Sequence, residues 1–236
     1  MRLFFFFSLS FTSFSVIAQT NTQLQWEPSV SYTYKLPNRW AFNANTMFRN
    51  RMVEYNGEGA EREMEWVLNE TQFFATYSLW KNTKMSGGYA FQSRLTDEQF
   101  FDEHRLMEQF AFVIYALHGK RIANRIRLEQ RIRQSGYQNR LRYRLGFDSP
   151  LNGEELDPGE LYGIVTNEVL YTFNNVQQGW ENRLFGGIGW FFNRQYKLQT
   201  GIMYRVSRSG NRYRNVLALS TIMYINRRER QKKIRE

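Results

Sequence analysis

The sequence predicts an all-β fold, an antiparallel transmembrane β-barrel of about 10–12 strands connected as an up-and-down meander. Three observations predict it. Charged and apolar residues alternate along most of the chain, aromatic residues make up 17% of it, and turn residues separate segments of strand length. Since successive side chains of a strand point to opposite faces, this alternation gives each strand one apolar and one polar face.

The clearest alternation lies in two consecutive segments, 125–133 and 140–147. Arginine or glutamate alternates with isoleucine, leucine or glutamine in the first segment, and arginine alternates with leucine and tyrosine in the second. The short link 134–138 predicts a hairpin between them. In a soluble sandwich the ionic face would meet water and the apolar face a core. In an outer-membrane barrel the apolar face meets lipid and the ionic face lines the lumen.

Period-two patterns and turn chemistry give eleven candidate strands in all. Besides the arginine-rich hairpin they lie near 24–36, 40–48, 66–80, 85–94, 105–117, 161–171, 180–190, 196–205 and 215–225. Long loops are expected at 49–65, 95–103, 172–179 and 206–214, and mostly short turns at the opposite strand ends, as in bacterial outer-membrane barrels. An odd count conflicts with both chain ends lying in the periplasm. Either a strand is missed or merged, or the first segment is not a full crossing.

The first 18 residues predict a cleaved secretory signal peptide. Arg2 gives a positive start, residues 3–14 are mostly apolar, and Val16 and Ala18 occupy the small-residue positions before a signal-peptidase cut. The apolar run is too short for a stable membrane helix, and the chain has no cysteine for a lipidated start. These features predict a chain exported to the cell outer membrane.

The remaining sequence predicts one domain, because no linker or repeat divides it. We expect the barrel to span 19–226 and a basic periplasmic tail to span 227–236. The formal net charge of +10 is compatible with nucleic acid, anionic lipid or acidic solutes. Export and the lack of a binding motif argue against nucleic acid. The tail is either simply solvated or in contact with anionic headgroups or cell-wall polymer.

The six tryptophans fall into two sets at opposite ends of the predicted strands. Three lie beside short turns and three at the other strand ends: Trp40, Trp80 and Trp190, and Trp26, Trp66 and Trp180. Tryptophan and tyrosine favour the membrane–water boundary, where an amphipathic ring contacts both phases. The two sets therefore predict two aromatic girdles, with a soluble aromatic core as the alternative.

With the apolar face outward, the lumen is expected to carry many charged side chains. The main predicted lumen residues are Glu70, Arg105, Arg125, Arg127, Glu129, Arg131, Arg140, Arg142, Arg144, Glu168 and Arg183. Two outcomes are open. Arginines and glutamates form a ladder of ion pairs that closes the lumen, or the excess of arginine leaves a narrow water-filled path that favours anions. The expected partners are outer-membrane lipid and small anionic solutes, with no cofactor and no metal.

Catalytic signals are weak, and we expect no enzyme activity. The chain lacks cysteine, and only His104 and His118 could act as imidazole bases. A lipid hydrolase or deacylase would need His104 beside a serine, and Ser93 is near it if the hairpin is regular. Glu108 shares the parity of lipid-facing residues, so we expect a β-bulge between 105 and 110 to turn it inward.

Several stretches resemble the domain-of-unknown-function family 2490, short exported proteins thought to be outer-membrane barrels. They lie at 104–110, 127–131, 140–144, 167–169 and 181–189. The resemblance implies a barrel and its location but no activity, so it assigns no functional residues. The chain departs from many such proteins in ending on a basic tail and not on an aromatic residue.

The sequence thus leads to one main hypothesis, a non-enzymatic outer-membrane barrel with an arginine-rich lumen that acts as a small pore or a structural component. The alternatives are the lipid hydrolase and a soluble periplasmic β-sandwich or lipocalin-like binder.

Overall fold

The chain forms one sheet that closes into a barrel, which confirms the predicted all-β fold. A computed structural model describes residues 21–55, 60–61, 64–96, 99–116, 119–174, 178–210 and 212–229. The expected signal peptide and most of the expected basic tail lie outside these residues. No helix in the described part is long and apolar enough to cross a membrane.

The strands are β1 (Asn21–Lys35), β2 (Trp40–Tyr55), β3 (Ala60–Glu61), β4 (Glu65–Trp80), β5 (Thr83–Thr96), β6 (Gln99–Tyr115), β7 (Arg121–Arg133), β8 (Gly136–Pro150), β9 (Glu160–Phe173), β10 (Gln178–Phe191), β11 (Tyr196–Ser209) and β12 (Arg212–Arg228).

Eleven long strands build the barrel, and β3 is a two-residue strand paired only with β2. Consecutive long strands are antiparallel, whereas β1 and β12 close the barrel as a parallel pair, from Asn21 beside Arg214 to Lys35 beside Arg228. A meander with an odd number of strands brings its first and last strands into the same direction, so the closing pair must be parallel. The odd count from the sequence therefore needs no missing strand.

The two ends of the described chain leave the barrel at opposite rims. We call the rim where β1 begins the amino-terminal rim, and the rim where β12 ends the carboxy-terminal rim. We start at Lys35 and step from each residue to its paired residue on the next strand. One circuit of the barrel ends on β1 at Asn21, 14 residues before Lys35. Such a stagger requires tilted strands, typically at about 35–45° to the barrel axis.

Strands extend further at the amino-terminal rim than the sequence analysis expected. β5 ends at Thr96 and β6 begins at Gln99, so the expected loop 95–103 is wrong. β11 likewise reaches Ser209, three residues before β12 begins at Arg212. Charged residues continue the alternation of inward and outward side chains there. The inward ones pair with other side chains inside the barrel, so the strands continue through them. The segment 151–159 between β8 and β9, by contrast, lies at the carboxy-terminal rim.

The barrel is polar inside and apolar outside. On β7, Arg127 is 6% exposed whereas its neighbour Ile126 is 45% exposed. The inner face buries few apolar side chains, among them a small cluster of Phe74, Ala90 and Met107. A water-soluble domain buries its apolar face, so this polarity is the reverse of a soluble core.

Candidate functional site

The predicted lumen residues all lie on the inner face of the barrel. Seven of them are buried, namely Glu70, Arg105, Arg127, Glu129, Arg131, Arg142 and Glu168. The other four are half-buried and line the central cavity, namely Arg125, Arg140, Arg144 and Arg183. Six strands contribute them, namely β4 and the five consecutive strands β6 to β10, and the inward faces of these strands meet in one interior.

Arg142 joins two carboxylates in the interior. Its guanidinium nitrogens lie 2.6 Å from Glu129 Oε1 and 2.7 Å from Glu168 Oε2. Arg125 donates to the other oxygen of Glu168 at 2.8 Å, and Arg127 lies 3.7 Å from Glu129. Glu129 is fully enclosed by the barrel. Enclosing a carboxylate away from water costs free energy unless a cation pairs with it. These arginines therefore stabilise the enclosed Glu129 carboxylate.

A second ion-pair cluster surrounds Glu103. Arg131 donates to both Glu103 oxygens at 2.8 Å, and Arg105 and Arg133 bind the same carboxylate. Arg105 also reaches Glu70 at 2.8 Å. The sequence analysis missed Glu103 because it assigned this residue to a loop. The signal was present, since Glu103 shares the inward parity of Arg105 two residues later.

A third cluster joins the first strand to the rest of the barrel. Arg49 donates to Glu27 at 2.5 Å, and Arg205 of β11 binds the same carboxylate. Arg51 pairs with Glu54 and with a carboxylate of β4. Arg49 and Arg51 were expected in a long acidic loop, but β2 continues through them. Their spacing of two residues was the signal for this extension.

A cavity of about 750 Å³ runs along the interior and is lined by residues from both rims. Fourteen arginines and two lysines line it, against four carboxylates, those of Glu27, Glu70, Glu168 and Glu181. Several arginines are hydrogen-bonded to neutral groups. Arg140 donates to the Thr172 hydroxyl at 2.8 Å, and Arg144 lies 3.4 Å from the Thr166 hydroxyl. The lining therefore carries a large excess of positive charge.

The cavity changes character along its length. The ion pairs lie mainly in the half towards the amino-terminal rim. The other half is lined largely by small polar side chains, among them Ser29, Ser31, Thr33, Asn43, Thr76, Ser86 and Ser220. Lys35 and Lys84 line this half near its rim. Because short side chains leave more free space than arginines do, we expect the amino-terminal half to be the narrower part.

Three inward aromatic rings lie over inward glycines, which are on a neighbouring strand except for Gly187, on the same strand as its ring. Phe74 covers Gly88, Tyr162 covers Gly189, and Phe185 covers the facing pair Gly187 and Gly201. A side chain at these glycines would collide with the ring or with backbone atoms. Glycines within strands mark this kind of close approach.

All six tryptophans lie on the outer face, and all but the half-buried Trp26 are exposed. Trp180 and Trp190 are ten residues apart on β10. At about 3.3 Å per residue and a tilt of about 40°, the two levels lie about 25 Å apart. This matches the apolar band of about 25 Å that aromatic girdles flank in outer-membrane barrels.

Glu108 also lies on the outer face, and the expected β-bulge is absent from this part of β6. The register runs without a shift from Gly87 through Glu108 to Leu128. Arg105 and Gln109 both point inward, where Arg105 binds Glu70 and Gln109 binds an arginine. Because these positions are four residues apart, an inserted residue between them would turn one of them outward.

His104 lies on the outer face near the amino-terminal rim. Its Nδ1 is 2.6 Å from the Tyr89 hydroxyl, and its ring packs against Phe91. The register places Ser93 opposite Asp102 and not opposite His104, and the described strands contain no Ser93–His104 hydrogen bond. His118 lies outside the described residues. Within those residues no cluster of three or more His, Asp or Glu side chains is arranged to hold a metal ion.

Comparison with known proteins gives one family match. The model of a family described as protein of unknown function (DUF2490) matches residues 26–216, which include all of the long strands from β2 to β11, most of β1 and the start of β12. Neither the curated proteins nor the solved structures contain a significant match.

Proposed function

Because the chain belongs to the DUF2490 family, whose function is unknown, we propose its role from its own geometry: it is an outer-membrane β-barrel whose arginine-lined lumen admits small anions. The observation that carries the proposal is the cavity lining, in which sixteen Lys and Arg side chains accompany four carboxylates. Rings of Arg and Lys favour anions in membrane pores.

The membrane part of the proposal rests on the reversed polarity of the barrel. Outward apolar residues are widely exposed, for example Ile126, Tyr143 and Leu145 on the arginine-rich hairpin. An exposed apolar surface of this extent would favour aggregation in water, whereas hydrocarbon chains solvate it. The two tryptophan levels fit the thickness of the apolar band. A soluble β-sandwich would instead pack the apolar face against a second sheet.

The anion preference rests on incomplete neutralisation inside the lumen. Glu129 and Glu168 are each shared by two or more arginines. Arg140 and Arg144 meet threonine hydroxyls. Since several cations line the path without a carboxylate of their own, a mobile anion is the natural counter-ion.

Conductance of the purified protein in a planar bilayer tests the proposal. A barrel of this kind should migrate faster unboiled than boiled on a denaturing gel and should then form small, discrete channels. Under a potassium chloride gradient, the reversal potential should have the sign of chloride selectivity. A folded but silent barrel would favour the structural role with a plugged lumen, and cation selectivity would contradict the proposal.

Hydrolase activity is a separate alternative, and the geometry around His104 gives it little support. The imidazole Nδ1 is already engaged by the Tyr89 hydroxyl. We propose that the barrel is not an enzyme. The test compares lipid release by the wild type with release by His104→Ala. Release that depends on His104 would establish the hydrolase.

A further inference from the structure

Arg94 is a lumen arginine that no carboxylate in the described part of the chain pairs with. It points inward from β5 near the amino-terminal rim, opposite Leu68 and Phe101, and it lines the cavity. Among the described residues its side chain makes neither an ion pair nor a hydrogen bond. Its electrostatic neighbours include three more arginines, Arg49, Arg133 and Arg214, which also line the cavity.

Among the described residues, the carboxylate that acts on Arg94 is Glu103, and it is already bound by other arginines. Glu103 interacts with Arg94 electrostatically, but its oxygens bind Arg105, Arg131 and Arg133. One carboxylate thus serves three arginines before Arg94 is counted. The guanidinium groups of Arg94 and of the three arginines near it therefore face the cavity with too few carboxylates to neutralise their charge.

The other two arginines show the same imbalance. Arg49 shares Glu27 with Arg205, and Arg214 is bonded to the neutral amide oxygen of Gln23. Like charges held together in a partly enclosed space raise the energy of the site. A bound anion would lower that energy, and one with several oxygens could accept hydrogen bonds from more than one guanidinium.

We propose that Arg94, together with Arg49, Arg133 and Arg214, binds a multivalent oxyanion such as inorganic phosphate or a phosphate ester. This inference rests on the proposed anion-admitting lumen and names its ligand class. The four side chains come from β5, β2, β7 and β12, so they approach the path from different sides in the half towards the amino-terminal rim. Because they face the lumen and not the lipid, the ligand is a water-soluble anion, not a lipid headgroup.

Calorimetric titration of the full mature barrel with inorganic phosphate is the direct test. It is done in maltoside micelles, which carry no phosphate, at constant ionic strength set with chloride. Phosphate should bind the wild type, and Arg94→Gln should weaken binding by at least about tenfold, as expected for losing a charge-assisted hydrogen bond. The matched control is Arg194→Gln, which removes an exposed arginine at the opposite rim and should leave the affinity unchanged.

Folding of the variant is checked by the mobility shift on heating. Because no described residue forms an ion pair with Arg94, Arg94→Gln should unfold at a temperature no lower than that of the wild type in phosphate-free buffer. Equal phosphate affinity in both proteins, or no binding by the wild type, would overturn the site. A second arm adds phosphatidic acid to the micelles, and displacement of phosphate by that lipid would overturn the assignment to a soluble ligand.

The two experiments distinguish a wrong phosphate site from a wrong assignment of the barrel as a pore. A barrel that is silent in bilayers but binds phosphate through Arg94 retains the site and loses conduction. A barrel that conducts chloride while Arg94→Gln leaves phosphate affinity unchanged retains conduction and loses the site.

Discussion

Arg142 Nη1 lies 2.6 Å from Oε1 of Glu129, a carboxylate that the barrel encloses completely. The other terminal nitrogen of Arg142 binds Glu168, so one guanidinium compensates carboxylates of β7 and β9. The two acids belong to strands on either side of β8, and Arg142 connects them across it. The pairing therefore stabilises three adjacent strands at once.

Removing this guanidinium should destabilise the barrel strongly. Arg142→Met leaves Glu129 and Glu168 short of a partner, and breaking a buried pair in this way costs about 3–5 kcal/mol. The free energy of unfolding in urea, measured in lipid vesicles, gives the value. The control is Arg140→Met on the same strand, which loses a hydrogen bond to Thr172 worth about 1 kcal/mol. Equal losses in the two variants would show that the carboxylate pairing is unimportant.

The glycines beneath Phe185 should tolerate no side chain. A Cβ at Gly187 would collide with the Thr200 carbonyl oxygen and with Gly201, whereas a Cβ at Gly186 would meet nothing within 4 Å. We expect Gly187→Ala to cost about 1–3 kcal/mol, as overpacking does, and Gly186→Ala to be close to neutral. Unfolding midpoints of the two variants check this. Matching midpoints would contradict the tight packing of β10 on β11.

The sequence alone predicts which side chains face the lumen, because a two-residue period is a local property. Arg127 and Ile126 differ in exposure for that reason alone. It does not predict which arginine binds which glutamate. The contact of Arg205 with Glu27 spans 178 residues of sequence and depends on the stagger around the whole barrel.

Strand ends were the second feature that sequence reasoning could not fix. Charged residues such as Glu103 usually indicate a solvated loop, yet a charged lumen allows a strand to continue through them. Glu103 is 3% exposed because three arginines from β6 and β7 surround it. Whether residues such as Glu103 belong to a loop or to a strand therefore depends on ion-pair partners that come together only in the closed barrel.

If the barrel crosses the membrane, its two rims should face opposite sides, and the parallel closing pair places one end of the described chain at each rim. The natural chain has no cysteine, so single reporters give no background. Ser135→Cys lies between β7 and β8 at the amino-terminal rim, and Asn38→Cys lies between β1 and β2 at the other. On intact cells, an impermeant maleimide should label one of them and not the other. Labelling of both to the same extent would exclude a barrel that crosses the membrane once per strand.

The lipid-facing surface should penalise charge according to depth. Ile202 is 57% exposed on the outer face, in the middle of β11, and Val206 lies on the same face four residues closer to the amino-terminal rim. In lipid vesicles, Ile202→Lys should cost about 2–4 kcal/mol and Val206→Lys about 0–1 kcal/mol, the difference between midplane and interface. In a soluble protein an exposed substitution of this kind usually changes stability by less than about 0.5 kcal/mol. Urea unfolding of both variants in vesicles distinguishes these outcomes, and a near-neutral Ile202→Lys would argue that the outer face meets water.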